Sequence, residues 1–220
     1  MRNSLLLAMI LLVVGCNSDN KSGQTSEALY REGQALETKP NANRQDFVAA
    51  RDAYTQALQL QSPPELDARI RAGLANVSYW LDDYPTAIRE WTTAYPSLED
   101  EATKSFTLYR IGLCQQRLGQ FAQADQTFAQ VQQEYPGTDA AKRAREHQGI
   151  KGFTVQLATF ANPKSADAEI DKLRKQGVAP AKAQSATGTV VSVGPVQTYA
   201  QAMDLKNRFA AMYPQAVILP

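Results

Sequence analysis

Reactive side chains are scarce in this chain of 220 residues. There is one histidine, His147, and there are two cysteines, Cys16 and Cys114. His147 sits beside Arg145 and Glu146 in a charged helical stretch and reads as a surface residue. It gives no Ser-His or Cys-His pair independent support, and a single His with two distant Cys forms no metal cluster. Glu99-Asp100-Glu101 follows Ser97 and reads as the capped, dipole-complementing start of a helix. Asp82-Asp83 reads as a turn pair. No phosphate-cradling glycine loop and no nucleophile elbow is present in the sequence. No catalytic residue, metal or cofactor is therefore expected. The polar groups left to consider are amides and hydroxyls on strand-like runs, Thr154, Gln156 and Ser192. Such groups both donate and accept hydrogen bonds.

Those residues lie in two runs with period-two alternation, Phe153 to Phe160 and Thr189 to Val196. Val155 and Leu157 share one face of the first; Thr154, Gln156 and Ala158 share the other. Val191 and Val193 oppose Val190 and Ser192 in the second. Each run leads through a turn signal, Asn162-Pro163 or Gly194-Pro195, into a helical pattern. The first helix carries Ala166, Ile170 and Leu173, and the second carries Ala202, Leu205 and Phe209. Weaker strands follow around Ala179–Ser185 and Gln215–Leu219. The pattern is strand-helix-strand, twice. It buries one sheet face under two helices and leaves the other as a binding platform.

The runs V-Q-L-A-T-F and V-S-V-G-P-V resemble the two signature strands of the SPOR domain, V-Q-x-G-x-F and V-x-V-G-P-F. Ala158, Val196 and Val190 stand where that family prefers Gly, Phe and, commonly, Arg. The resemblance covers 151–220. It implies a four-stranded antiparallel sheet backed by two helices, and binding of peptidoglycan, with a preference for glycan strands stripped of stem peptides. By this resemblance Thr154, Gln156 and Ser192 are candidate glycan contacts.

The N-terminus carries a different kind of chemistry. Arg2 precedes an apolar run from Leu5 to Val14, too short to span a bilayer, and Gly15-Cys16 follows. Cys16 after Val13-Val14-Gly15 resembles a bacterial lipobox, which implies cleavage after residue 15 and lipidation of the Cys16 thiol. Asn17, rather than Asp, points to the outer membrane, facing the periplasm. Residues 16–25 then read as a polar, lipidated tether.

Between tether and sheet lies an internal repeat. Phe47, Ala50, Tyr54 and Ala57 recur 37 residues later as Tyr84, Ala87, Trp91 and Ala94. They recur 37 further on as Phe121, Ala124, Phe128 and Val131. The spacing of three, four and three is one helix face. Each copy follows a helical segment such as Leu74, Val77, Leu81 or Leu108, Ile111, Leu118, and Pro, Gly, Asn or Asp turns separate the pairs. Helical hairpins at this spacing resemble the tetratricopeptide repeat, with Gly112, Gly119, Phe121, Ala124, Phe128 and Pro136 in matching places. They are similar in style to the repeats of Gram-negative envelope proteins such as the Tol-Pal-associated coordinator. The segment Thr138–Gln148 reads as a capping helix. Tyr54, Trp91 and Phe128 read as core. Tyr79, Arg110 and Gln115 are candidates for a partner-binding groove on the first helices. Cys114 reads as a buried small hydrophobe.

The fold class expected is α + (α+β), with a signal peptide at 1–15, repeats over 26–149 and the sheet domain over 151–220, the last melting independently. Residues 151–220 carry eight Lys and Arg against four Asp and Glu, whereas the whole chain has net charge +1. That balance gives no footprint for nucleic acid. The functional expectation is a non-enzymatic envelope lipoprotein that binds peptidoglycan through its C-terminal domain and recruits envelope or division proteins through its repeats. The alternative is an assembly or scaffold factor for an outer-membrane or Tol-Pal-type complex, with the C-terminal domain accessory.

Overall fold

The computed structural model describes residues 25–220. The expected signal peptide, Cys16 and most of the expected tether lie outside the described residues. Seven helices come first: α1 Ser26–Glu37, α2 Arg44–Ala57, α3 Pro64–Trp80, α4 Tyr84–Ala94, α5 Glu101–Arg117, α6 Phe121–Glu134 and α7 Asp139–His147. They pair as α1/α2, α3/α4 and α5/α6, and α7 closes on α5 and α6. The starts follow from local chemistry. Asn43 and Asp46 form a capping box on α2, Asp83 accepts from Thr86 N, and Asp100 accepts from Thr103 N at 2.7 Å.

The repeated aromatics fill the space between hairpins. Tyr54, Trp91 and Phe128 are each essentially buried. Two of them press on glycines of neighbouring helices. A Cβ at Gly33 or Gly73 would come within 2.6 or 2.5 Å of the Tyr54 ring, and one at Gly112 within 2.5 Å of Phe128. The bare backbone is what lets the helices close over these rings.

The C-terminal unit runs β1 Phe153–Phe160, α8 Pro163–Lys175, β2 Pro180–Ser185, β3 Gly188–Val196, α9 Tyr199–Phe209 and β4 Val217–Leu219. The sheet is antiparallel, ordered β2-β3-β1-β4. Phe153, Val155, Leu157, Val191 and Val193 pack against Ala166, Ile170 and Leu173 of α8 and Ala202 and Phe209 of α9. The observed architecture is therefore a helical hairpin array followed by a small four-stranded α+β unit.

The seam between the two units is closer than the sequence pattern suggests. Phe121 belongs to the repeat pattern, yet its ring lies in the core of the C-terminal unit, 6.2 Å from Phe153. Its counterparts explain why. Phe47 stacks on Trp80 at 6.1 Å, and Tyr84 accepts a hydrogen bond from Arg117 at 2.8 Å, each reaching into the following hairpin. After the third copy the sheet domain stands in that place. Asp125 strengthens the seam, accepting from Lys151 Nζ at 2.6 Å and from Gly149 N at 2.8 Å.

Candidate functional sites

The uncovered sheet face is built by register. Gln156 lies opposite Ser192 of β3 on one side and Val217 of β4 on the other, and Ser192 lies opposite Ala181 of β2. Directly opposed residues share a face, so one row crosses the whole sheet. A second row holds Ala183, Val190 and Thr159. Thr154 and Leu219 form a third. The face is small and polar in its centre and apolar along β4, where Val217 and Leu219 are exposed.

Two details depart from simple alternation. The β1–β3 register shifts between Gln156 and Ala158, so Ala158 lies opposite Val191, on the helix-covered side. The bulge inserts one residue and reverses the parity beyond it. Thr159 therefore takes the open-face place that alternation assigns to Ala158, and Gln156 Nε2 donates to Thr159 Oγ1 at 3.1 Å. Ser192 is on the open face by register but is only 8 % exposed. Being short, and enclosed by the rows on either side, it offers little hydroxyl surface. Thr154 and Gln156 are half-buried, and Thr159 is exposed.

The second site is a groove along the first helices of the hairpins. Glu37, Asn76 and Arg110 cross it as a relay. Tyr54 Oη donates to Glu37 Oε2 at 2.8 Å, Asn76 Nδ2 donates to Glu37 Oε1 at 2.9 Å, and Arg110 Nη1 donates to Asn76 Oδ1 at 2.8 Å. Arg110 also stands over the Trp91 ring, 5.8 Å from its centroid. Burial raises the Glu37 carboxyl above its usual range, while the bonds from Tyr54 and Asn76 pull it back. Tyr79 continues the α3 stripe three residues beyond Asn76, where it meets Trp80, Tyr84 and Trp91 edge-on or tilted. Gln115 turns away from the groove. Its Oε1 accepts from Thr127 Oγ1 at 2.7 Å, joining α5 to α6, because five residues from Arg110 is the wrong side of the helix.

His147 is not the surface residue its charged neighbours suggest. Its ring packs at 5.8 Å from Tyr109 and 5.9 Å from Phe128, and Nδ1 lies 3.0 Å from Gln116 Oε1. Its own carbonyl accepts from Gln116 Nε2 at 3.0 Å, so the two residues lock α7 to α5. Burial lowers its pKa below the ordinary 6.5. Cys114 is fully buried, and burial pushes its thiol up to about 12, which leaves it inert at neutral pH. The buried carboxylate of Glu90 accepts from Arg71 at 2.9 Å and Arg89 at 2.8 Å, a structural pairing. No group of His, Cys, Asp and Glu among the described residues is placed to hold a metal ion.

Residues 149–220 match the family model of the SPOR domain. The C-terminal unit is a SPOR domain. Residues 106–138, which hold most of α5 and all of α6, match a tetratricopeptide repeat. SPOR domains bind peptidoglycan and tetratricopeptide repeats mediate protein contacts; both are binding rather than catalytic modules, and a SPOR domain suggests a location in the bacterial cell envelope. A search of curated proteins finds no match. Among solved structures, the chain is similar to the N-terminal domain of stress-induced protein-1 from C. elegans. The identity is 18%, over 56% of this chain and 93% of that one, with a TM-score of 0.46. It is also similar to the C-terminal tetratricopeptide-containing domain of an FK506-binding protein from Plasmodium falciparum. There the identity is 14%, over 70% and 97%, with a TM-score of 0.41. No helix among the described residues is long and apolar enough to cross a membrane.

Proposed function

We propose that this chain is a non-enzymatic tether in the bacterial envelope. Its SPOR domain holds denuded glycan strands on the open sheet face, and its repeats recruit an envelope or division protein. Cys16 carries the lipid that anchors it to the outer membrane on the periplasmic side. The observation that carries the reading is the Gln156–Thr159 pair on a sheet face that no helix covers. Gln156 Nε2 gives one of its two N–H groups to Thr159, which leaves its second N–H and the Thr159 hydroxyl to donate to a sugar and the Gln156 carbonyl to accept. Thr154 extends the row, and Ser192 floors it. Joining lipid, glycan and protein partner in one chain raises the effective concentration of each weak contact.

The test is cosedimentation of the whole chain with sacculi treated to remove stem peptides. Gln156→Ala and Thr159→Ala each remove a hydrogen-bonding group whose net worth is about 0.5–1.5 kcal/mol, so each weakens binding roughly two- to tenfold. Gln156 is half-buried and Thr159 exposed, and changes at such surface positions move folding stability by only ~0.5 kcal/mol. Undiminished sedimentation of the double variant would remove this face as the glycan site. If sacculus binding is lost while a repeat partner is still captured, the domain acts with the repeats as proposed. If capture of envelope proteins is unchanged in cells lacking residues 151–220, the scaffold reading is favoured.

A further inference from the structure

The repeats hold one aromatic ring out in solvent. Trp80 ends α3 and is 59 % exposed; among the described residues it is the one large apolar side chain that the repeats leave exposed. Its ring is fixed by its neighbours. Phe47 of α2 stacks on it at 6.1 Å with 12° between the planes, and Tyr79 meets it edge-on at 5.5 Å. One face of the indole is therefore backed and the other is open.

The repeat supplies an internal comparison. The step of 37 residues that carries Phe47 to Tyr84 carries Trp80 to Arg117. Arg117 is covered, its guanidinium 4.8 Å from the Tyr79 ring centroid, 5.3 Å from Tyr84 and 4.4 Å from Tyr199 of the SPOR domain. Among the described residues no ring or cation covers Trp80 in the way that Tyr199 covers Arg117. The same step carries Asp82 to Gly119, and both hold a left-handed backbone, with φ of 65° and 79°. Glycine is the ordinary occupant of that conformation. The second copy thus keeps a carboxylate where the third has the residue the turn prefers. Asp82 Oδ1 accepts from Tyr84 Oη at 2.6 Å, and Arg44 Nη1 stands 3.8 Å from Oδ2. Arg44 also gives one long bond, 3.4 Å, to the Leu81 carbonyl. Both side chains are more than half exposed, and neither has used its hydrogen-bonding capacity.

A pyranose fits this combination. Its C–H face packs on the electron-rich face of an aromatic ring, and its hydroxyls, spread around the edge, take a donor and an acceptor at the rim. A protein surface or a bilayer calls for a broader apolar patch, whereas here the residues beside the ring are charged. We propose that Trp80, with Arg44 and Asp82 at its rim, is a saccharide subsite on the repeats, taking one pyranose of a glycan strand on the open face of the indole. The wall strand as its source rests on the SPOR reading; the subsite shares no residue with the sheet face. A strand long enough to touch both is held by two weak contacts in one chain.

The test uses the whole chain labelled with ¹⁵N and the hexamer of β-1,4-linked N-acetylglucosamine as probe. The chain has two tryptophans, and Trp91 is buried, so their indole N–H resonances report separately. The hexamer should shift the Trp80 indole saturably and leave Trp91 unmoved. Maltohexaose, an α-linked glucan, should act several-fold more weakly; an equal response would overturn the wall strand as occupant. Trp80→Ala should abolish saturable shifts at the amides of Arg44 and Asp82. Arg44→Gln should weaken the Trp80 response about tenfold, as expected when a charge-assisted hydrogen bond is lost. Asp82→Gly installs the residue that the third copy uses in this turn, so the fold is kept, and it should weaken the response several-fold. Unchanged affinity in both rim variants, no saturable shift at Trp80, or a Trp80 shift with phosphatidylethanolamine–phosphatidylglycerol vesicles and none with the hexamer would overturn the subsite. The two glycan readings separate by residue. Shifts on β1 and β3 without Trp80 would remove this subsite and keep the sheet face, and a Trp80 shift without them would do the reverse.

Discussion

Phe121 is the residue through which the repeats and the SPOR domain stabilise one another, and Phe121→Ala tests that coupling. The ring is 8 % exposed and packs on Phe153 inside the SPOR core, although its backbone opens α6. Replacing a buried Phe by Ala costs ~3–5 kcal/mol from lost transfer and the cavity left behind. The lost contacts include Phe153 on β1, so the cost falls on the SPOR domain as well as on the third hairpin. Even ~3 kcal/mol is about two orders of magnitude in a local opening equilibrium. Hydrogen exchange followed by mass spectrometry reads β1, β3 and the α5–α6 pair separately. The expected result is faster exchange in both regions. The control is Phe47→Ala, whose stack on Trp80 is at the far end of the array. Nearest-neighbour stability in a repeat array predicts no change there in β1 or β3. Unchanged exchange in β1 and β3 of the Phe121 variant, with only α5–α6 affected, would refute the coupling and restore a domain that melts by itself.

Three further outcomes are expected. Gly73→Ala places a Cβ 2.5 Å from the Tyr54 ring and should destabilise the first two hairpins by ~1–3 kcal/mol, read as a lower denaturation midpoint by Trp fluorescence. His147 has a depressed folded pKa, so the unfolded chain binds its proton first; the stability it confers is complete above 6.5 and is lost as pH falls toward the folded value. Wild type should therefore lose more stability than His147→Gln below pH 6.5, and parallel curves would contradict the partly buried, neutral ring; the raised carboxyl of Glu37 acts in the opposite sense and cancels in the comparison. Cys16→Ser should release the chain from membranes in detergent-free extracts, and retention there would exclude lipidation as the anchor.

The parts of this fold that repeat were legible in the sequence. The 37-residue step of Phe47, Tyr84 and Phe121 is visible because helices bury every third or fourth residue, and the strands are visible because Val155 and Val193 alternate with polar neighbours. What composition does not encode is tertiary choice. Nothing in V-Q-L-A-T-F marks the bulge that exchanges Ala158 for Thr159 on the open face, since a bulge changes register and not residue type. His147 looks exposed beside Arg145 and Glu146, yet the last turn of α7 rotates it onto Tyr109 and Phe128. Gln115 looked like a groove residue from its place on α5 alone. Its bond to Thr127 depends on where α6 docks. Arg117 carried no signal at all, because its three tyrosines come from α3, α4 and α9. Gly33 and Gly73 could have been noticed, since small residues opposite a recurrent aromatic mark close helix approach.

The central claim is that the uncovered sheet face of the SPOR domain holds glycan. The direct measurement is a titration of the ¹⁵N-labelled whole chain with soluble glycan strands freed of stem peptides. The account predicts saturable shifts at Thr154, Gln156, Thr159 and Ser192, with the helix-facing residues of α8 and α9 unmoved. Shifts confined to the repeat groove, or no saturable shift on β1 and β3, would contradict it.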